Sequence, residues 1–194
     1  MKLFAGLALV SLVACGFHSQ QMSADSPALR PVFTEWQTAI VDGDFNYVFE
    51  RTSATMKARW LYGIFTPVET KDGLEFNPVA KDTIKKLPPM IATDFENWLR
   101  VNRLNQSAEM SVGPLPSNIM SNPWLRETLK AHFDKQQPLL KHEFQGKEFR
   151  EGYIDGDAAT ILVKNIRGDS EMYEVVREDD TWKMNHWKPS PPKK

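Results

Sequence analysis

The sequence predicts an α+β domain in which helices come first and an antiparallel sheet closes the chain. Three observations carry this. Residues 149–187 consist of β-branched and aromatic runs six or seven residues long, parted by Asp155-Gly156-Asp157, by residues 165–170 and by Glu178-Asp179-Asp180. That is the pattern of consecutive hairpins. Residues 31–61 instead repeat apolar side chains at helical spacing, with Val32, Phe33, Trp36 and Ile40 on one stripe. Between these regions, prolines and glycines divide the chain into short amphipathic segments.

Taken in order, Pro31 is expected to open the first helix. Arg30 before it is disfavoured from the α region, and proline is welcome in a first turn. Asp42-Gly43-Asp44 ends that helix, and Gly43 suits the left-handed position beyond the last turn. Asp44 caps a short second helix bearing Phe45, Val48 and Phe49; Ser53 or Thr52 caps a third through Met56, Trp60 and Leu61. Residues 68–76 read as a small hairpin turning at Lys71-Asp72-Gly73. Asn77-Pro78 starts a helix through Leu87, which Pro88-Pro89 breaks. The next helix, residues 90–104, carries Ile91, Phe95, Trp98 and Leu99 on one face. Residues 107–112 read as a strand, ended by Gly113-Pro114. Asn122-Pro123 begins a further helix with Leu125, Leu129, His132 and Phe133 along one stripe. Residues 189–194, proline with lysines, form an extended tail.

The N-terminus is read separately. Lys2 precedes a short apolar run that is too brief to span roughly 30 Å of hydrocarbon, so residues 1–14 read as a secretory signal. Its end, Leu12-Val13-Ala14-Cys15, resembles the lipobox of bacterial lipoproteins. The resemblance implies cleavage before Cys15 and acylation of that residue, with each buried methylene contributing about 0.8 kcal/mol to a membrane attachment. Cys15 is the one cysteine in the chain, so no internal disulfide can form. Gly16 stands where an aspartate would signal inner-membrane retention, which implies the outer membrane, facing the periplasm, of a Gram-negative envelope. Residues 15–26 then form a tether whose ends lie on the order of 17 Å apart. Residues 27–188 remain as one domain.

A helix, an acidic Gly-Asp turn and a short aromatic-bearing helix, at residues 31–65, are similar to the opening of NTF2-like (cystatin-like, SnoaL-like) proteins. The closing hairpins are similar too, at Asp155 to Ala159 and Asp180 to Lys183. The resemblance implies a long antiparallel sheet curved around helices into a cone with a cavity. It also makes residues 77–137 an insertion, whose helices would cap or fill that cavity.

Composition limits the function. A formal net charge of −1 provides no electrostatic reason to expect a nucleic-acid partner. No phosphate-binding glycine loop, nucleophile elbow or His-Glu-x-x-His pair occurs; His142-Glu143 is followed by Phe144-Gln145-Gly146. No cofactor or metal is expected. His132, His142 and His186 have no ligand spacing, and His132 and His186 are read as partly buried structural histidines.

The weak catalytic candidates are Glu174, His186 and Tyr173. Alternation along the strand puts Met172, Glu174 and Val176 on one face and Tyr173, Val175 and Arg177 on the other. A two-residue turn at Asp179-Asp180 then sets Val175 opposite Met184, Glu174 opposite Asn185 and Tyr173 opposite His186. Glu174 either points into the cone as a general base or lies on a wet outer face paired with Lys183; the wet face is favoured. Trp36, Tyr47, Trp60, Tyr62 and Trp98 could line an apolar pocket, although aromatics at helical spacing are more commonly core.

Three functions follow as expectations. The leading one is a lipid-anchored, non-catalytic envelope protein whose domain binds a small apolar ligand or another envelope protein. The second is an enzyme of the ketosteroid isomerase or dehydratase kind. The third is a structural accessory that offers a partner surface on residues 77–137.

Overall fold

A computed structural model describes residues 27–66, 68–70, 73–75, 82–104 and 112–188. The signal segment, Cys15, the tether and the tail lie outside the described residues. So do the Asn77-Pro78 helix start, the Lys71-Asp72 turn and residues 107–111.

Helices precede an antiparallel sheet, as the sequence predicts. Helix α1, Leu29–Asp42, begins two residues before Pro31, and Arg30 is helical. N–H groups in a first turn have no partner within the helix, so a proline at the third position costs no hydrogen bond. Its buried side chains, Leu29, Phe33, Trp36 and Ile40, fall on one stripe. Gly43, at φ 77°, directs its N–H back to the carbonyls of Ala39 and Ile40. Asp44 caps α2, Phe45–Glu50, by accepting from Tyr47 N at 3.1 Å. Ser53 caps α3, Ala54–Phe65, by accepting from Met56 N at 3.1 Å.

The middle departs from expectation in detail. Strands β1, Val68–Thr70, and β2, Gly73–Glu75, pair antiparallel with Thr70 opposite Gly73, so Gly73 belongs to the strand rather than to the turn. Pro89 opens α4, Pro89–Leu104, which buries Phe95, Trp98 and Leu99. Val112 is in no strand. The chain at Gly113 is pinned instead by side chains of α4: its N–H donates to Asn102 Oδ1 at 2.5 Å, and its carbonyl accepts from Trp98 Nε1 at 3.1 Å.

After the short α5, Ser117–Met120, comes α6, Pro123–Phe144, capped by Asn122. The expected end of an insertion at residue 137 falls inside this continuous helix. It runs through Pro138, whose missing N–H and clash with the preceding turn cost about 3 kcal/mol in a helix interior. Tertiary contacts compensate. Gln37 Nε2 donates to the carbonyls of Phe144 (2.6 Å) and Lys147 (2.9 Å), Gln137 Nε2 reaches Val41 O (3.2 Å), and Phe144 is buried against Trp36.

Strands β3 (Glu148–Asp155), β4 (Ala158–Lys164), β5 (Ser170–Glu178) and β6 (Thr181–Lys188) form an open meander in the order β3-β4-β5-β6. Asp179 and Asp180 both take positive φ, as a two-residue turn matched to strand twist requires. The inner face, with Ile161, Val163, Tyr173, Val175 and Met184, packs on the helices; Phe33 meets Tyr173 edge-on at 5.5 Å. At Gly152 a Cβ would lie 2.8 Å from Leu29 Cδ1, so the α1 approach to β3 needs glycine there.

The β5–β6 register differs from the regular one. Val175 does face Met184, but a bulge follows, so Glu174 faces His186, Tyr173 faces Trp187 and Met172 faces Lys188. Asn185, the expected partner of Glu174, is drawn to the helices, where its Oδ1 accepts from Ser53 Oγ at 2.7 Å. Beside it, Met184 N donates to Arg51 O (2.8 Å) and Ser53 N to Met184 O (2.9 Å). The α2–α3 junction thus partly covers the edge strand, and the extra residue re-aims the strand beyond it.

Candidate functional site

Among the described residues a cavity lies between the helices, and the four-stranded sheet is uncurled and does not form the expected cone around it. Its volume is about 450 Å³, within the range of small-molecule sites. Trp36 and Ile40 of α1 and Val48 of α2 form one side. Met56, Arg59, Trp60, Gly63 and Ile64 of α3 form the second, and α6 closes it from Leu129 to Phe144. Among the described residues, none from a strand lines it. Along α3 the lining positions step by three and four, which is one helical stripe. Along α6 the corresponding stripe brings Leu129, His132, Phe133, Gln136, Leu140 and Glu143 to the same space.

Gly63 is mid-helix, where glycine costs about 0.5–1 kcal/mol relative to alanine. A Cβ there would meet nothing within 4 Å, so packing does not demand the glycine. Its effect is to leave the wall of α3 open at the cavity.

The lining is mostly apolar, but two side chains bring polar hydrogens into it that the protein does not satisfy. Trp36 Nε1 and Arg59 Nε and Nη1 are buried and have no hydrogen-bond partner among the described residues. A guanidinium carries donors and no acceptor, so only an oxygen or an anion can satisfy it. His132 lies at the rim, more exposed than expected. Burial and, after it, the neighbouring Lys135 charge hold its imidazole below the ordinary value of 6.5.

A fully buried cation lies next to this wall. Lys147 is 5 % exposed, and its Nζ donates to Glu171 Oε2 (2.7 Å) and to Tyr173 OH (2.8 Å), with Glu143 Oε1 at 3.4 Å. The Phe144 ring sits 4.1 Å away. Glu171 also accepts from Tyr173 OH (3.2 Å) and from Asn165 Nδ2 (3.0 Å). Burial, reinforced by the Glu171 carboxylate, pushes the Tyr173 phenol far above its ordinary value, so it stays a neutral donor. This network joins α6, the segment leading into β3, and β5.

The weak catalytic candidates are distributed differently. Tyr173 is fully buried in that network. Glu174 and His186 are cross-strand neighbours, half-buried on the outer face of the sheet, and neither lines the helical cavity. Lys183 pairs with Glu178 (3.3 Å) and Asp179 (3.6 Å) and not with Glu174, because it stands opposite Val176.

Of the aromatics, Trp36 and Trp60 meet in the cavity. Tyr47 donates to Glu35 Oε2 at 2.5 Å near the surface. Trp98 and Tyr62 pack edge-on at 5.9 Å, and Trp98 is turned toward Gly113. Arg59, Gly63, Gln136 and Glu143 were not singled out by sequence. The signal was present in residues 56–64, an α3 stripe that places an arginine and a glycine among apolar side chains.

Among the described residues no group of three or more His, Cys, Asp or Glu side chains could hold a metal, and no helix is long and apolar enough to cross a membrane. No family model matches the chain, and neither a curated protein nor a solved structure shows significant similarity to it.

Proposed function

We propose that this chain is a lipid-anchored protein of the bacterial envelope whose domain binds a small apolar ligand, without catalysis, in the cavity between α1, α3 and α6. The observation that carries the binding half is that cavity, about 450 Å³ with largely apolar walls. The anchoring half rests on Leu12-Val13-Ala14-Cys15 after a signal-type run, and Gly16 favours the outer membrane. The NTF2-like reading is supported by the order of helices and hairpins and by the Gly43-Asp44 turn. In that reading the pocket of a sheet-lined cone has been transferred to the helical layer. A small ligand is preferred to a protein partner because, within the described part of residues 77–137, the exposed large apolar side chains are Met90 and Val101 alone, which is no contiguous patch.

The test of binding is calorimetric titration of decanol into the full chain and into Gly63→Leu. A Cβ at this lining position meets nothing within 4 Å, so the variant should fold, and its bulk at the cavity wall should remove the decanol heat. Equal binding by both proteins would remove the cavity as the site. Anchoring is tested by fractionation: Cys15→Ala should move the protein from the membrane to the soluble periplasmic fraction, and no change of fraction would refute it.

A further inference from the structure

We propose that the ligand is an anionic amphiphile, a single-chain carboxylate, whose head is held by Arg59 and whose chain lies along the apolar wall. This rests on the helical cavity being the ligand site.

The donors that line the cavity without a partner are all of one sign. Arg59 contributes Nε–H and an Nη1 group, and Trp36 contributes Nε1–H. Arg59 is half-buried, and a charged donor that is buried without an acceptor is costly, so proteins ordinarily pair such nitrogens. Here the anion of the lining, Glu143, is engaged elsewhere, with Lys147 Nζ 3.4 Å from its Oε1. The chain therefore satisfies the buried Lys147 and leaves the two buried nitrogens of Arg59 without an acceptor among the described residues. A carboxylate supplies what the guanidinium fork accepts: two oxygens at matched spacing and one negative charge.

Volume selects the body of the ligand. At roughly 30 Å³ per water-sized group, the cavity of about 450 Å³ has room for about fifteen heavy atoms. That is one acyl chain of about ten to twelve carbons with its carboxylate, and less than a diacyl lipid. The remainder of the wall is mostly apolar, with Ile40, Val48, Leu129 and Leu140 along it and His132 and Gln136 as its few polar side chains, too few for a sugar or a peptide. Gly63 lies one turn beyond Arg59 on the same face of α3, so the gap in the wall opens next to the charge.

The experiment is a titration of decanoate and of decanol, its neutral counterpart, into the full chain carrying Cys15→Ala. That variant keeps detergent and the anchor's own acyl chains out of the measurement. At about pH 7.5 decanoate is ionised, and it should bind at least about tenfold tighter than decanol, as a charge-assisted pair provides. Arg59→Met should abolish the difference by weakening decanoate alone, and Arg59→Lys should retain part of it. Decanol binding as tightly as decanoate, or Arg59→Met keeping the preference, overturns the anionic assignment and leaves the apolar site standing. If neither probe binds, the cavity reading falls, and this inference with it.

Discussion

Lys147, a buried cation, and Arg59, a half-buried one with two buried nitrogens, both lie near the helical cavity, and the protein treats them in opposite ways. Lys147 has Glu171, Tyr173 and Glu143 around its three hydrogens and an aromatic ring against it. Arg59 has two buried nitrogens with no acceptor among the described residues. The first arrangement is complete within the chain and ties α6 to the sheet. The second has no acceptor among the described residues, and it faces a cavity. Burial of charge alone is therefore weak ground for proposing a binding site; at Arg59 the ground is donors without an acceptor beside a cavity.

The contrast can be broken by substitution, and the largest effect is expected at the paired cation. Lys147→Met leaves Glu171 buried and uncompensated, which should cost about 3–5 kcal/mol in denaturant unfolding. Removing both charges with Lys147→Met and Glu171→Met should recover much of that loss, because well-packed apolar pairs often replace buried ion pairs without penalty. A single variant as stable as the parent would show that the network contributes nothing to the fold.

Arg59→Met should act in the other direction. It keeps an apolar stem and removes donors that the fold leaves unsatisfied, so unfolding should become harder by about 1 kcal/mol. A loss of stability there would mean that Arg59 is structural after all. Smaller again is Gly63→Ala, with an expected gain of about 0.5–1 kcal/mol from helix propensity alone, read from the same melts. The helical position and the open space around its Cβ permit it.

The smallest effect is one of pH. His132 has its folded pKa depressed by burial and by Lys135, so the folded state favours neutral imidazole. The associated stability is fully present above the ordinary value of about 6.5 and is lost as pH falls through the folded pKa. Melts of the parent between about pH 7.5 and 5 should show a decline that His132→Gln reduces; an identical decline in both proteins would place the titrating group elsewhere.

Much of the fold was legible because its signals are local. Gly43, Asp44 and Ser53 end or cap helices through bonds to residues within four positions, and each was readable from the sequence. Asp179-Asp180 likewise turns the last hairpin where alternation required it. What was misread depended on distant partners. Alternation alone placed Glu174 opposite Asn185, but Ser53, more than a hundred residues earlier, captures the Asn185 side chain, and the bulge there shifts every later partner. The end of an insertion expected at residue 137 falls inside a continuous helix, which Gln37 and the burial of Phe144 hold through Pro138. Trp36 and Trp60 share a cavity, and Tyr47 and Trp98 do not. Their helical spacing is alike, so only packing separates them.

The sequence by itself determined the class of fold, the places where helices end and the hairpins turn, and the expectation of a lipid anchor at Cys15. These depend on dihedral preferences, caps and short-range patterns, which a linear chain displays. The tertiary structure alone decided that the cavity lies between helices, that Lys147 is paired, and that Arg59 is not. Whether a buried charge meets its opposite depends on residues brought together from α3, α6 and β5, and no spacing along the chain records that meeting.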